Sequence, residues 1–156
     1  MLHYYKLFWK NALNIKGRSR RKAYWYPMLM NMLIMIVIGL ITYALPIPNI
    51  IEEVVGWIFY ILVSIAMFTV TVRRFHDVGM TMMIPILLFV GTWINDALEF
   101  INIDIDIVNS LASAFSIVAV ILGVIYLVLA IVGLVVCCTN GQKEFNKYGE
   151  NPKRNE

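Results

Sequence analysis

The sequence predicts an all-α integral membrane protein: four transmembrane helices in a bundle, an N-terminal amphipathic interfacial helix, and both termini in the cytoplasm. Three observations carry that expectation. First, the chain is 60% hydrophobic and only 15% charged, where a soluble domain carries about 25% charged residues, and its mean hydropathy is +0.74. Second, four long stretches, 28–51, 54–72, 78–95 and 107–142, lack Asp, Glu, Lys and Arg. Third, all 13 Lys and Arg residues fall on one side of the layout that those stretches define. The 156 residues form a single membrane domain, 1–156, with little room for a separate soluble one.

The first 14 residues carry two stripes at helical spacing. His3, Lys6, Lys10 and Asn14 form the polar one; Tyr5, Phe8, Trp9 and Ala12 form the apolar one. Such a helix lies in the headgroup layer or packs on the cytoplasmic face of its own protein, and the stripes fit both. Residues 1–26 are a cytoplasmic basic segment, in which Tyr24, Trp25 and Tyr26 occupy the place of an aromatic belt. Its length, and that of the apolar run after it, argue against a cleaved signal peptide.

A helix rises about 1.5 Å per residue, so a hydrocarbon core of about 30 Å takes about 20 residues. On that rule the spans fall at about 27–46, 54–73, 82–97 and 116–138. Pro46 and Pro48 stop the first near Leu45. Pro85 sits in the first turn of the third, where its missing N–H costs little, and Asn95 and Asp96 close it. The last uncharged stretch is too long for one span and is densest from Ile117 to Cys138. The adjacent Cys137 and Cys138 read as apolar side chains at its end, with no disulfide or zinc site implied.

The charges order these spans. Lys6, Lys10, Lys16, Arg18, Arg20, Arg21 and Lys22 precede the first. Glu52 and Glu53 lie in the first loop, Arg73, Arg74 and Asp77 in the second, and Asp96, Glu99, Asp104 and Asp106 in the third. Lys143, Lys147, Lys153 and Arg154 lie in the tail, 139–156, with Glu144, Glu150 and Glu156. Short loops rich in Lys and Arg stay inside, so both termini and the middle loop are expected in the cytoplasm of a bacterial inner membrane. In the 96–115 outer loop, residues 101–107 alternate Ile with polar residues. They are expected to rest their isoleucines on the membrane surface, and the acidic residues lack the spacing of a calcium loop.

Little in the chain points to catalysis. No ionisable residue lies deep in a predicted span, which weighs against an ion-coupled transporter. Asn31, Ser64, Thr69, Thr71, Thr92 and Asn95 are expected to make helix–helix hydrogen bonds, and Ala119-x-x-x-Gly123 to let two helices approach. There is no phosphate-cradling glycine loop, nucleophile elbow or metal-ligand spacing, so no enzyme activity, cofactor or metal is expected. The juxtamembrane bases suit topology and anionic headgroups better than nucleic acid. In Arg73-Arg74-Phe75-His76-Asp77-Val78-Gly79, Arg73 and Asp77 stand four apart for a helical ion pair. Gly79 is placed to end the helix in the left-handed conformation. The segment reads either as a capped helix end or as an anion site.

Three segments carry a resemblance: Gly17-Arg18-Ser19-Arg20-Arg21-Lys22-Ala23-Tyr24-Trp25, the 73–79 segment, and Asn146-Lys147-Tyr148-Gly149-Glu150-Asn151-Pro152. In that order they resemble the domain of unknown function 805 family of small bacterial inner-membrane proteins. That family often has Ser-Gly-Trp-Trp where this chain has Thr81-Met82-Met83-Ile84, and Glu where this chain has Ala23. The resemblance implies location and fold rather than an activity. The expectation that follows joins Arg18, Arg21, Arg73, Arg74, His76, Asp77, Asn146 and Tyr148 in one cytoplasmic cluster around Asp77. The expected function is a non-enzymatic scaffold or binding protein whose cluster takes anionic lipid headgroups, or a protein partner or second copy in the bilayer. A small transporter or channel subunit, and a resistance or immunity protein against a membrane-active agent, are the alternatives.

Overall fold

A computed structural model describes residues 1–45, 48–100 and 112–153, the side chains of 98–100 and 112–116 aside. Five helices occupy the described residues: α1 (Leu2–Lys10), α2 (Arg21–Ala44), α3 (Asn49–Val78), α4 (Met83–Phe100) and α5 (Ala112–Cys138). Three helical segments, Arg21–Ala44, Asn49–Val78 and Ile117–Cys138, are long and apolar enough to cross a membrane, and Met83–Ala97 is a shorter apolar helix. The alternating 101–107 segment lies outside the described residues.

The helices outrun the expected spans. α2 starts at Arg21 instead of 27 and carries Pro27 inside it; α3 runs from Asn49 to Val78 instead of 54–73. Hydropathy marks the part of a helix that sits in hydrocarbon, whereas the backbone ladder continues until a cap or a proline ends it. α3, 30 residues long, reaches about 45 Å, well beyond a core of about 30 Å. α2 stops at Ala44, with Leu45 extended, as the residue before a proline prefers to be.

Neighbouring helices run antiparallel. Trp25, near the start of α2, reaches the end of α5 at Cys137. Phe89 on α4 packs on Phe68 of α3 with centroids 4.6 Å apart, and further along both helices Tyr60 meets Asp96. In the most apolar windows of the three long helices only 11%, 17% and 17% of residues are buried inside the chain. Leu40, Val120 and Leu122 are among the many large side chains left exposed. So much apolar surface requires an apolar medium around it.

The apolar stripe of α1 is packed on the bundle. Phe8, Ala66 and Val70 form a buried cluster, with Tyr5, Trp9, Ala12, Tyr24 and Met67 against it. Tyr5 donates to Asn31 Oδ1 at 3.0 Å, and Thr69 donates to the Ala12 carbonyl at 2.9 Å. Leu2 and Leu13 remain exposed. Thr71 hydrogen-bonds Tyr24 of α2, as expected between helices, whereas Ser64 and Thr92 show only bonds within their own helices. Each hydroxyl bonds a carbonyl of its own helix, the local acceptor a helical hydroxyl finds first. A Cβ on Gly123 would meet open space among the described residues, so that position seats no described neighbour.

Candidate functional site

The site forms where α3 and α5 end. The last helical carbonyls have no partner in their own helix, and the aligned peptide dipoles make that end favourable for cations. Two such ends meet here, each closed differently.

α3 closes itself. Gly79 has φ 87° and ψ 7°, its N–H bonds the His76 carbonyl at 3.1 Å, and the Met80 N–H bonds the Phe75 carbonyl at 2.9 Å. This pair of bonds is the Schellman closure, which favours glycine in the left-handed position. α5 is closed largely by other helices. Its Val135 carbonyl is taken by the Thr139 N–H at 2.9 Å. Val136 accepts from Arg74 Nη2 at 3.4 Å, Cys137 from Trp25 Nε1 at 3.3 Å, and Cys138 from Arg21 Nη1 at 3.0 Å. Arg21 and Trp25 stand four apart on α2, hence on one face, and that face covers the end of α5. Trp25 is thus a donor to a helix end, and Cys137 is buried while Cys138 is exposed.

Asp77 is the centre. Its Oδ1 accepts from Arg18 Nε at 3.0 Å and its Oδ2 from Arg74 Nη1. Side-chain exposures of 1%, 0% and 7% for Arg18, Arg74 and Asp77 mark a desolvated ion triad. Arginine suits such a place because its planar fork has five donors. Arg18 also donates to the carbonyls of Glu144 at 2.8 Å, Gly149 at 3.2 Å, Asp77 at 3.4 Å and Gln142. Arg74 adds Ser19 at 3.4 Å and Thr139. The expected partner at i+4, Arg73, does not pair with Asp77. It points to the other side of α3, toward the carbonyls of Thr69 and Asn11, each at 3.4 Å. Arg74, at i−3 from Asp77, takes the ion pair instead.

The tail folds back over this centre. The Gln142 N–H bonds the Asp77 carbonyl at 2.9 Å. Gly141 lies so close to the Asp77 carboxylate that a Cβ there would overlap it. Asn146 Nδ2 donates to the His76 carbonyl at 3.0 Å and to Gln142 Oε1 at 2.8 Å, while its Oδ1 accepts from the Tyr148 N–H at 2.9 Å. That last bond is an Asx-turn. It sets the Tyr148 ring on the His76 ring, centroids 3.8 Å apart and planes within 8°. Gly149 at φ 124° returns the chain so that its carbonyl meets Arg18. His76 Nδ1 donates to the Gly17 carbonyl at 3.2 Å.

The structure thus brings Arg18, Arg74, His76, Asp77, Asn146 and Tyr148 together. Arg21 sits at the edge of the group and Arg73 outside it. Ser19, Gln142 and Gly141 belong to it without having been singled out in the sequence, because they contribute backbone atoms or the absence of a side chain. Beside the triad is a cavity of about 330 Å³ lined by Arg20, Arg21, Lys22, Arg74, Asp77, Gly141 and Lys153. Arg74 Nε is buried and has no hydrogen-bond partner among the described residues. The arrangement offers positive charge beyond what Asp77 neutralises.

A helical bundle too apolar for water, closed at one end by an arginine–aspartate cap, defines a membrane-type protein. The chain belongs to the family described as "Protein of unknown function (DUF805)", whose model matches residues 12–150. No curated protein and no solved structure matches the chain.

Proposed function

We propose that the chain is a non-enzymatic, four-span protein of the bacterial cytoplasmic membrane whose cytoplasmic cap binds the phosphate of an anionic lipid headgroup. The antiparallel helices support the four-span reading, since α4, at 18 residues, reaches about 27 Å, close to a hydrocarbon core of about 30 Å. The Lys and Arg residues lie in segments 1–22, 73–74 and 143–154, at the end of the bundle where α2 and α4 begin, which is the cytoplasmic signature. At that depth α1, with Leu2 outward and the exposed Leu13 just beyond its end, sits as an interfacial helix would.

The observation that carries the binding reading is the buried Arg74 Nε without an acceptor among the described residues, on a residue that lines a cavity together with Arg21, Lys22 and Lys153. A phosphate oxygen satisfies such a donor, and exposed bases near a membrane surface attract anionic lipid by about 1 kcal/mol each. Melting of the detergent-solubilised protein tests it. Phosphatidylglycerol should raise the melting temperature where phosphatidylcholine does not, since a ligand at about 100 times its Kd adds about 2.7 kcal/mol. Inorganic phosphate should act more weakly, lacking the acyl chains. The Arg21→Gln/Lys22→Gln/Lys153→Gln variant should lose the difference. Equal melting in both lipids, or a difference that survives the triple substitution, refutes the reading.

A further inference from the structure

The opposite half of the bundle has the reverse chemistry. α4 continues to Phe100, so Asp96 lies within a helix rather than in a loop, and Tyr60 of α3 donates a hydrogen bond to its Oδ2. Tyr60 is six residues inward from position 54, where the second apolar stretch begins, or about 9 Å along the helix. A carboxylate at such depth is costly and marks a functional position by default.

Around it stand aromatic rings. Trp57 meets Tyr60 edge-on with centroids 5.8 Å apart, and the Trp93 ring lies 6.0 Å from that of Tyr60. Two cavities flank the carboxylate. One of about 350 Å³ is lined by Met35, Glu53, Gly56, Trp57, Tyr60 and Asp96; one of about 250 Å³ is lined by Trp57, Trp93, Asp96 and Ala97. Trp93 Nε1, buried, has no hydrogen-bond partner among the described residues. The described Lys and Arg residues lie in segments at the other end of the bundle, where α2 and α4 begin.

We infer that the larger cavity is a binding site for a hydrophobic organic cation, an ammonium or phosphonium with an apolar body. Asp96 and Glu53 supply the opposite charge, and the Trp57 and Tyr60 faces supply the quadrupole attraction that favours organic cations. A hard metal ion fits poorly, because calcium takes six to eight oxygen ligands and most of the lining among the described residues is carbon. The volume falls in the range of small-ligand pockets, about 300–1,000 Å³.

Gly56 gives a clean test. A Cβ built there meets open space, and leucine has a higher helix propensity than glycine. Gly56→Leu should therefore fill the cavity and leave the fold intact. The full chain in maltoside micelles, which contain no ammonium group, is titrated with tetraphenylphosphonium. Saturable binding is expected, with tetraphenylborate, similar in shape and opposite in charge, failing to compete. Asp96→Asn and Gly56→Leu should each weaken binding by about tenfold or more, with Gly56→Leu melting like the parent. Competition by phosphatidylethanolamine but not phosphatidylglycerol would assign the site to a lipid ammonium, and absence of that competition would assign it to a free cation. No saturable binding, equal competition by tetraphenylborate, or parental affinity in Gly56→Leu overturns the inference.

Discussion

Replacing Asp77 with alanine removes the one carboxylate between two arginines. Arg18 and Arg74 have side-chain exposures of 1% and 0%, so neither can recover its lost partner from water. Arg18 keeps its carbonyl acceptors at Glu144 and Gly149, and Arg74 keeps those at Ser19 and Val136. Those acceptors satisfy N–H groups and leave both positive charges uncompensated. Breaking a buried ion pair from one side costs about 3–5 kcal/mol. For a chain of this size that is a fall in melting temperature of roughly 6–20 °C. The assay is thermal or dodecyl-sulfate unfolding of purified protein in mild detergent, followed by near-ultraviolet circular dichroism. Arg74→Gln/Asp77→Asn should lose less than the two single losses combined, since it removes one charge of each sign. If Asp77→Ala melts within about 1 kcal/mol of the parent, Asp77 does not hold the cap together and the account of the three motifs fails.

Three further outcomes follow from the same geometry. Arg74→Gln should be strongly destabilising while Arg73→Gln, which loses only two 3.4 Å bonds to carbonyls, should cost about 1 kcal/mol or less; parallel melts of the two variants decide it. Gly141→Ala, whose new methyl would overlap the Asp77 carboxylate, should lose about 1–3 kcal/mol, an effect that equal unfolding midpoints would rule out. Asn146→Ala removes the donors to His76 and Gln142 and the Asx-turn. Trypsin should then cut after Lys143 or Lys147 faster than in the parent, as resolved by mass spectrometry of the released tail.

Much of this was legible before any coordinates. The apolar stretches located the helices because a bilayer leaves no other use for them. The α1 stripe of Tyr5, Phe8, Trp9 and Ala12 named the face that packs, and Gly79 announced the end of α3. The illegible parts share a physical cause. Arg18 is bound mostly to backbone carbonyls 59 to 131 residues away, and a carbonyl leaves no trace in residue identity. The choice of Arg74 over Arg73 depends on which side of α3 faces α5, and spacing rules allow both i+3 and i+4 partners. Asp96 looked like a loop residue because charge commonly ends an apolar stretch, whereas here the helix runs through it to Phe100.

The cap also sets an order of events during synthesis. Arg74 and Arg18 take their carbonyl acceptors at Val136, Glu144 and Gly149, all translated more than sixty residues after Arg74 itself. While the ribosome still holds those acceptors, the emerging chain must keep two guanidinium groups hydrated at the membrane face. Only when the final stretch leaves the exit tunnel can they be enclosed. A chain cut short just after Cys138 would retain its apolar helices, yet lack the Glu144 and Gly149 carbonyls and carry an open, charged base that distinguishes it from the finished product.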